Sequence, residues 1–227
     1  MLRTDLSLCI HPEYQFLKNE MIKYAESSMP AEDKNGIRFL KIFASEYDTE
    51  LEQLLKSKDY KRDIKSDRAM SQFLIPNPFP QLELPDGFKF RSIAENNDLK
   101  KIHRVLHRGF NHPGDPPENE IEGRKKMQAS PNFRADLTMV VEAPNGDFAT
   151  YCGMWYDKVN RFGYVEPVAT DPDYRRKGLG RANVLESIRR CSLEGAEVAY
   201  VWTDMPFFLS VGFKRIYTHN CWVKHFE

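Results

Sequence analysis

The alternation of apolar and polar positions is interrupted once along the chain, between residues 75 and 87. This segment contains four prolines and a Pro-Asp-Gly turn. Proline fixes φ and lacks a backbone N–H, so the segment favours neither a helix nor a central strand. We therefore predict an N-terminal segment over 1–75, a linker over 76–87 and a larger domain over 88–227.

The pattern after the linker predicts alternating strands and helices. Period-two runs indicate strands, whereas apolar residues at intervals of three and four indicate helices. The predicted strands cover 88–93, 137–142, 148–156, 163–170, 198–203 and 214–226, the last as one or two strands, and the predicted helices cover 98–110, 118–129, 178–192 and 206–211. This order predicts an α/β (α+β) domain in which a mostly antiparallel meander leads into a βαβ unit.

The first 75 residues look like a degenerate copy of the last 65. At an offset of 160 residues, HPEY at 11–14 aligns with DPDY at 171–174, and FLKIF at 39–43 aligns with AYVWT at 199–203. Matching landmarks in the same order indicate an internal repeat. We therefore predict that the N-terminal segment is a partial, structural copy of the larger domain.

Composition and charge exclude several classes of protein. The chain has 33 basic and 33 acidic side chains, and 41% of its residues are hydrophobic. A nucleic-acid-binding protein typically carries a surplus of positive charge, and a disordered chain lacks apolar residues. The absence of a long apolar run near the start predicts a soluble, cytoplasmic protein without a signal peptide or membrane association.

Cysteine and histidine patterns predict no metal site. No CxxC pair occurs, and the four cysteines are predicted to be buried free thiols: Cys9, Cys152, Cys191 and Cys221. His103 and His107 share one helix face, but the HExxH pattern of a zinc site is missing.

The stretch YVEPVATDPDYRRKGLGR at 164–181 carries the clearest chemical signal. An apolar strand leads into a basic turn, and Gly178 and Gly180 stand at the start of a helix. Glycines there let an anion approach the free backbone N–H groups, where the helix dipole is positive. Four basic residues surround the same point: Arg175, Arg176, Lys177 and Arg181. A Rossmann fingerprint needs a third glycine at Asn183, and a P-loop needs GK[ST], so this pattern indicates a different pyrophosphate site.

These residues resemble the signature of the GCN5-related N-acetyltransferase (GNAT) family, R/Q-x-x-G-x-G/A after a strand. Arg175, Gly178 and Gly180 fill its positions, and FFLSVGF at 207–213 is similar to the family's FYxxxGF segment. The resemblance implies a mixed, mostly antiparallel twisted sheet flanked by helices. It also implies transfer of an acetyl group from acetyl-CoA to a primary amine of a small molecule, by direct attack in a ternary complex and without a metal.

The resemblance also implies a cofactor site. The pyrophosphate is expected on the loop formed by Arg175, Arg176, Lys177, Gly178, Leu179, Gly180 and Arg181. The main chain of Val168, Ala169 and Thr170 is expected to bind the pantetheine arm and the thioester oxygen. Pro167 marks the place where the strand ladder opens, because proline cannot donate a ladder hydrogen bond.

Amine acetylation needs a general base and an acid for the leaving thiolate. Glu166 is the candidate base, because it shares a strand face with Val168 if no bulge intervenes. A salt-bridge role for Glu166 is the alternative. The family's usual acid is a tyrosine, but the corresponding residue is Phe208, which leaves Tyr217, Cys221 or solvent.

The acceptor side is less defined. Acids between the first two helices attract a cationic amine or are simply solvated: Asp115, Glu118, Glu120 and Glu122. The aromatics Trp155, Tyr156 and Tyr164 line the same cleft or serve in packing.

The N-terminal copy has Lys18 and Glu20 where the glycines would lie, so it is predicted not to bind CoA. A non-catalytic acyl-CoA-binding or regulatory protein remains the alternative function, because Phe208 replaces the expected tyrosine. A homodimer is compatible with the sequence.

Overall fold

The computed structural model describes residues 5–226. Its strands are β1 (Asp5–Ser7), β2 (Ala31–Glu32), β3 (Arg38–Ser45), β4 (Lys61–Arg62), β5 (Arg68–Leu74), β6 (Lys89–Ser92), β7 (Met139–Glu142), β8 (Phe148–Asp157), β9 (Phe162–Thr170), β10 (Val198–Val201) and β11 (Lys214–Phe226). Its helices are α1 (Lys18–Ser28), α2 (Thr49–Ser57), α3 (Leu99–Gly109), α4 (Ile121–Gln128), α5 (Leu179–Leu193) and α6 (Pro206–Val211). Short 3-10 turns cover Pro12–Leu17, Ile64–Ser66, Glu118–Glu120 and Pro172–Tyr174.

The predicted order of elements after the linker is confirmed. Helix α3 begins where Asp98 accepts hydrogen bonds from the N–H groups of Lys100 and Lys101, which satisfies two otherwise free donors. The final segment is one strand rather than two. The mixed α/β fold with its largely antiparallel sheet is therefore as predicted.

The chain forms two compact units. Unit 1 comprises Met1–Met70, Trp202–Asp204 and Arg215–Glu227, and unit 2 comprises Ser71–Val201 and Met205–Lys214. Unit 1 thus takes most of β11, while unit 2 takes the end of β5. The sequence pattern, which places the boundary in the proline-rich segment, gave no sign of this division.

The sheet of unit 2 positions the candidate site. Strands β6, β7, β8 and β9 pair antiparallel in that order, β9 pairs parallel with β10, and β10 pairs antiparallel with the end of β5. Neighbouring residues of β8 point to opposite faces. Cys152 packs with α5 in one core cluster, and Tyr151 packs with α3 in another. The two helices therefore cover opposite faces of the sheet.

The proline-rich segment is packed rather than extended away from unit 2. It contains no helix or strand. Ile75, Phe79 and Leu82 pack against the core cluster on the α5 side of the sheet. Burial of these apolar side chains holds the segment in place.

Unit 1 has its own small sheet and core. β1 runs parallel to β3, β11 runs antiparallel to β3, and β4 pairs with β11. Its buried core includes Ile22, Leu40, Ile42, Leu51, Leu55 and Trp222. Because β11 lies between β3 and β4, the last strand of the chain completes the core of the N-terminal unit.

Unit 1 repeats part of unit 2. Each contains a strand, a 3-10 turn, a helix and a second strand parallel to the first: β1, α1 and β3 in one, and β9, α5 and β10 in the other. The side chain of His11 accepts from the Glu13 N–H at 3.4 Å, as Asp171 accepts from the Asp173 N–H at 3.0 Å. The partial repeat predicted from the offset of 160 residues is therefore present in the fold.

Candidate active site

The turn before α5 presents open backbone donors. Gly178 caps the helix with a φ of +76° and without a side-chain hydrogen bond, and the Ala182 N–H is bonded to its carbonyl at 3.0 Å. The N–H groups of the first turn precede that bond and have no partner within the helix. A Cβ added at Gly178 would meet nothing within 4 Å, so this helix start faces open space.

Gly180 has a different role. It is buried, and a Cβ there would lie 2.8 Å from the Thr170 hydroxyl oxygen. Because that distance is shorter than any real Cβ contact, only glycine lets α5 approach the end of β9 this closely. Leu179, between the two glycines, is buried and anchors the turn.

The basic side chains of the loop divide into two groups. Arg176, Lys177 and Arg181 are exposed around the helix start. The Arg175 guanidinium instead donates to the carbonyl oxygens of Thr170 at 3.1 Å and Gly109 at 2.9 Å. Arg175 therefore braces the loop against α3, whereas the other three present their charge to solvent.

Asp171 fixes the other end of this loop. Its side chain is fully buried and accepts from the Arg108 guanidinium at 2.8 and 3.2 Å. Arg104 lies 3.1 Å from the same carboxylate. These contacts and those of Arg175 tie both sides of the loop to the C-terminal end of α3. The sequence analysis missed Asp171 and Arg108, although an aspartate before Pro172 is a typical turn signal.

Strands β9 and β10 separate toward the C-terminal end of β9, from which the chain continues to α5. Their parallel pairing runs from Phe162 to Tyr164 on β9, and β9 then continues to Thr170 paired only with β8 in the described residues. The main-chain groups of Val168 and Thr170 that point toward β10 thus have no strand partner within residues 5–226, although the Thr170 carbonyl accepts from Arg175. The backbone groups on such an edge need hydrogen-bond partners, so an extended ligand can pair there like a guest strand.

A bulge includes Pro167, where the sequence predicts that the ladder opens. The pairs Cys152–Val168 and Met154–Val165 leave two residues of β9 opposite Gly153 alone. A Cβ at Gly153 would clash with the Glu166 carbonyl oxygen, so the bulge requires glycine there.

The same bulge changes the position of Glu166. Val165 and Val168 both pair with residues on the α5 face. The shared face of Glu166 and Val168, which was expected only without a bulge, is therefore lost. The Glu166 side chain is exposed, and its carbonyl oxygen accepts from the Trp155 indole N–H at 3.0 Å.

Phe208 belongs to the core of unit 2. It is buried, with its ring 5.0 Å from that of Phe207 and 5.7 Å from that of Phe213. Tyr217 and Cys221, the predicted substitutes for the missing tyrosine, belong to unit 1. Cys221 is fully buried, and burial raises its pKa to about 11, which makes its thiol a weak acid.

The four acids Asp115, Glu118, Glu120 and Glu122 are exposed, and the last of them lies within α4. Glu118 lies 3.9 Å from Lys100, and Glu122 lies 2.6 Å from Lys125. Exposed pairs of this kind contribute little to stability, because solvent and salt screen their charges. The structure therefore favours the solvated interpretation of these acids.

The three aromatics do not line one cleft. Trp155 and Tyr164 face each other across β8 and β9, and Trp155 packs edge-on to Phe133 at 5.9 Å on the α3 side. Tyr156 packs against the α5-side core instead, and its hydroxyl donates to the Glu194 carbonyl oxygen at 2.7 Å. Of the two interpretations, packing is the one that holds for Tyr156, because successive strand residues point to opposite faces.

The histidines of α3 hold the loop that follows it. Nε2 of His103 lies 3.0 Å from the Pro117 carbonyl oxygen, and Nε2 of His107 lies 3.3 Å from that of Pro113. Within residues 5–226, no group of three or more His, Cys, Asp or Glu side chains is placed to hold a metal. No helix in that part of the chain is long and apolar enough to cross a membrane.

The cysteines follow the prediction except at one position. Cys152, Cys191 and Cys221 are buried free thiols, and burial raises the pKa of both Cys152 and Cys191 to about 12. Cys9 is exposed, so the prediction of four buried thiols was wrong there. It lies just after β1, in a short segment that leads to the 3-10 turn.

Comparisons with known proteins agree with this geometry. The profile of the Acetyltransferase (GNAT) family matches residues 99–214. A mycothiol acetyltransferase from Thermobispora bispora is 26% identical over 158 residues, which cover 62% of this chain and 51% of that protein. This chain therefore spans about half the length of that curated relative.

Solved structures share the fold. A GCN5-related N-acetyltransferase from Sphaerobacter thermophilus has a TM-score of 0.75 at 16% identity, covering 98% of this chain and 73% of its own. A tandem GNAT protein from the clavulanic acid biosynthesis pathway has a TM-score of 0.69 at 10% identity, covering 98% and 75%. The likeness of these structures to the chain concerns the fold. The family match establishes that the chain belongs to the GNAT acetyltransferase family.

Proposed function

We propose that the protein is an acetyl-CoA-dependent N-acetyltransferase that moves an acetyl group to a primary amine of a small molecule. The observation that carries this proposal is the unpaired edge of β9 at Val168–Thr170, which leads directly to the open N-terminus of α5 at Gly178. An extended amide chain ending in a pyrophosphate matches both features, since one needs strand-like pairing and the other an anion. The name of the mycothiol acetyltransferase relative is consistent with this chemistry.

The residues present fit acetyl-CoA. In this proposal the N–H groups at Gly178–Arg181 bind the pyrophosphate, with Arg176, Lys177 and Arg181 adding charge. Arg175 acts on the loop, which it braces through Thr170 and Gly109. The main chain of Val168–Thr170 binds the pantetheine amides, and an N–H there stabilises the thioester oxyanion by about 3 kcal/mol.

The reaction proceeds by direct attack in a ternary complex. The amine loses a proton, its nitrogen forms a bond to the acetyl carbon, and the C–S bond breaks to release CoA thiolate. Glu166 is the candidate base, exposed at the bulge and acting through a water molecule. Because Phe208 has no hydroxyl, the thiolate takes its proton from solvent.

The test is release of CoA thiol from acetyl-CoA with a panel of primary amines. Glu166→Gln should reduce kcat at neutral pH by 10² or more while leaving the Kd for acetyl-CoA unchanged. Replacement of the exposed, unrelated Glu83 by Gln is the control and should change neither quantity. Full activity in the Glu166→Gln variant would exclude Glu166 as the base.

A non-catalytic acyl-CoA-binding role is the second candidate, favoured by the burial of Phe208 where the family places tyrosine. Binding of acetyl-CoA without thiol release for any amine would support it. A cytoplasmic location and a homodimer stay predictions.

A further inference from the structure

Three buried polar atoms on the α3 side of the sheet have no hydrogen-bond partner among the described residues. They are the hydroxyl of Tyr151, Nδ1 of His103 and Nε of Arg124. Tyr151 and His103 are 0% and 2% exposed. Buried polar atoms are nearly always paired, because each unpaired one costs about 1–3 kcal/mol. Three unpaired polar atoms on one side of the sheet therefore indicate that a bound molecule pairs with them.

The three side chains belong to β8, α3 and α4, and they lie on the same side of the sheet. Helices α3 and α4 pack on each other, and Tyr151 packs with α3 in one core cluster. Burial raises the pKa of Tyr151, and Arg124 opposes that rise. Burial also lowers the pKa of His103, and Arg124 lowers it further. Arg124 therefore lies within electrostatic range of both groups.

This region adjoins the proposed thioester position. Tyr151 pairs directly with Ala169 across β8 and β9, so their side chains share the α3 face of the sheet. Directly opposed residues on one face lie about 5 Å apart at Cβ. A molecule bound near the Tyr151 hydroxyl thus lies on the same face as Ala169.

The donor and acceptor roles of the three atoms follow from their contacts. Nε2 of His103 faces the Pro117 carbonyl oxygen, which only accepts, so Nε2 carries the proton and Nδ1 is an acceptor. Nε of Arg124 is always a donor, and the Tyr151 hydroxyl can donate. The region offers two donors, one of them cationic, and one acceptor.

The charge around these atoms favours an anion. The acids of the α3–α4 segment are exposed, and Glu118 and Glu122 lie beside lysines. Glu120 is the acid whose charge acts on His103, where it raises the pKa and opposes Arg124. Arg124 has its Nε buried instead, and its charge acts on both Tyr151 and His103. A carboxylate, which only accepts, matches a guanidinium and a hydroxyl.

We propose that Arg124 and Tyr151 bind a carboxylate of the acceptor, so that the substrates are amines that carry a carboxylate, such as amino acids. A polar N–H or O–H of the same molecule donates to Nδ1 of His103. This inference rests on the proposed function, because it assigns the acceptor of that reaction. The acceptor in this proposal carries a carboxylate, so it differs from the cationic amine that the acids of this segment were considered to attract.

The experiment compares matched acceptors in the thiol-release assay with the full chain. Each pair is an amino acid and the amine that lacks its carboxylate: phenylalanine with phenylethylamine, and leucine with isopentylamine. Wild type should prefer the amino acid by at least fivefold in kcat/KM in one pair or more. Arg124→Gln should remove that preference by lowering kcat/KM for the amino acid alone, and Tyr151→Phe should weaken it.

The control variant is Lys126→Gln, an exposed change on the same helix that should leave the preference intact. A preference below fivefold in every pair overturns the inference, as does an Arg124→Gln variant that keeps it or loses both activities equally. Acetyl-CoA binding is measured first by thermal shift. Its absence is the failure of the proposed function, whereas binding without any carboxylate preference is the failure of this inference alone.

Discussion

Gly178 and Gly36 have nearly the same backbone conformation but different surroundings. Their φ values are +76° and +78°, and an added Cβ at either meets nothing within 4 Å. Gly178 starts α5 in unit 2, whereas Gly36 lies in a turn before β3 in unit 1. Alanine variants of the two glycines therefore share the same backbone strain, and only an effect on binding can distinguish them.

We expect Gly178→Ala and Gly36→Ala each to lower the free energy of unfolding by about 1 kcal/mol, the strain of an L-residue at positive φ. Only Gly178→Ala should weaken acetyl-CoA binding, because its methyl group enters the space that the pyrophosphate needs. Chemical denaturation and calorimetric titration check the two effects. Equal affinities in both variants would place the cofactor elsewhere.

Asp171 is the buried charge on which the loop depends. Asp171→Asn leaves Arg104 and Arg108 without their shared carboxylate, and we expect a loss of about 2–4 kcal/mol in unfolding free energy. The control is Asp173→Asn, which removes a single exposed contact to Arg108 and should cost less than about 1 kcal/mol. Urea denaturation measures both. A cost at Asp171 no larger than at Asp173 would mean that the buried network does not hold the loop.

At the scale of elements, the bulge in β9 interrupts the regular pairing of this strand with β8. Its position depends on Gly153, since any side chain there meets the Glu166 carbonyl oxygen. Gly123 in α4 is the natural comparison, because a Cβ there meets nothing within 4 Å.

Gly153→Ala should force the bulge to rearrange, with a cost of about 1–3 kcal/mol in stability and a clear loss of acetyl-CoA affinity. Gly123→Ala should instead raise stability by about 0.5–1 kcal/mol, because alanine favours a helix. Thermal unfolding with and without acetyl-CoA checks both variants. Unchanged affinity in Gly153→Ala would show that the bulge does not shape the cofactor site.

The sequence predicts elements better than it predicts their faces. Periodicity locates β9 and α5, because apolar spacing depends on local geometry alone. It does not decide the faces of Glu166 and Tyr156, because a single extra residue in β9 and the alternation of β8 determine which face each occupies. The glycine-rich turn can be predicted from the sequence because its signal depends only on neighbouring residues. Asp171 and Arg108 are 63 residues apart, and their contact depends on the packing of α3.

At the scale of the whole molecule, the feature that the sequence predicts least is the exchange of strands between the two units. β11 follows α6 of unit 2 in the chain, yet its residues pair with β3 in unit 1 from His219 to Phe226. Trp222 on this strand is buried in the core of unit 1. Long-range strand pairing leaves no local pattern, so the domain boundary at 75–87 remains a prediction about sequence organisation.

Removal of residues 215–227 should therefore destabilise unit 1 first. Without β11, β3 loses its longest antiparallel pairing, keeps only the short one with β2, and the core loses Trp222. Hydrogen exchange should show that amides of β3 lose protection while those of β8 keep it. Retained protection in β3, or equal loss in both strands, would contradict the division into two compact units.

The central claim is that acetyl-CoA binds at the start of α5 in unit 2 and not at the corresponding helix of unit 1. Calorimetric titration of acetyl-CoA into the full chain tests it most directly. We predict one site per chain, with at least tenfold weaker binding in Arg176→Glu and unchanged binding in Lys23→Glu, an exposed change in α1. No binding, two sites per chain, or equal affinity in wild type and Arg176→Glu would contradict the account.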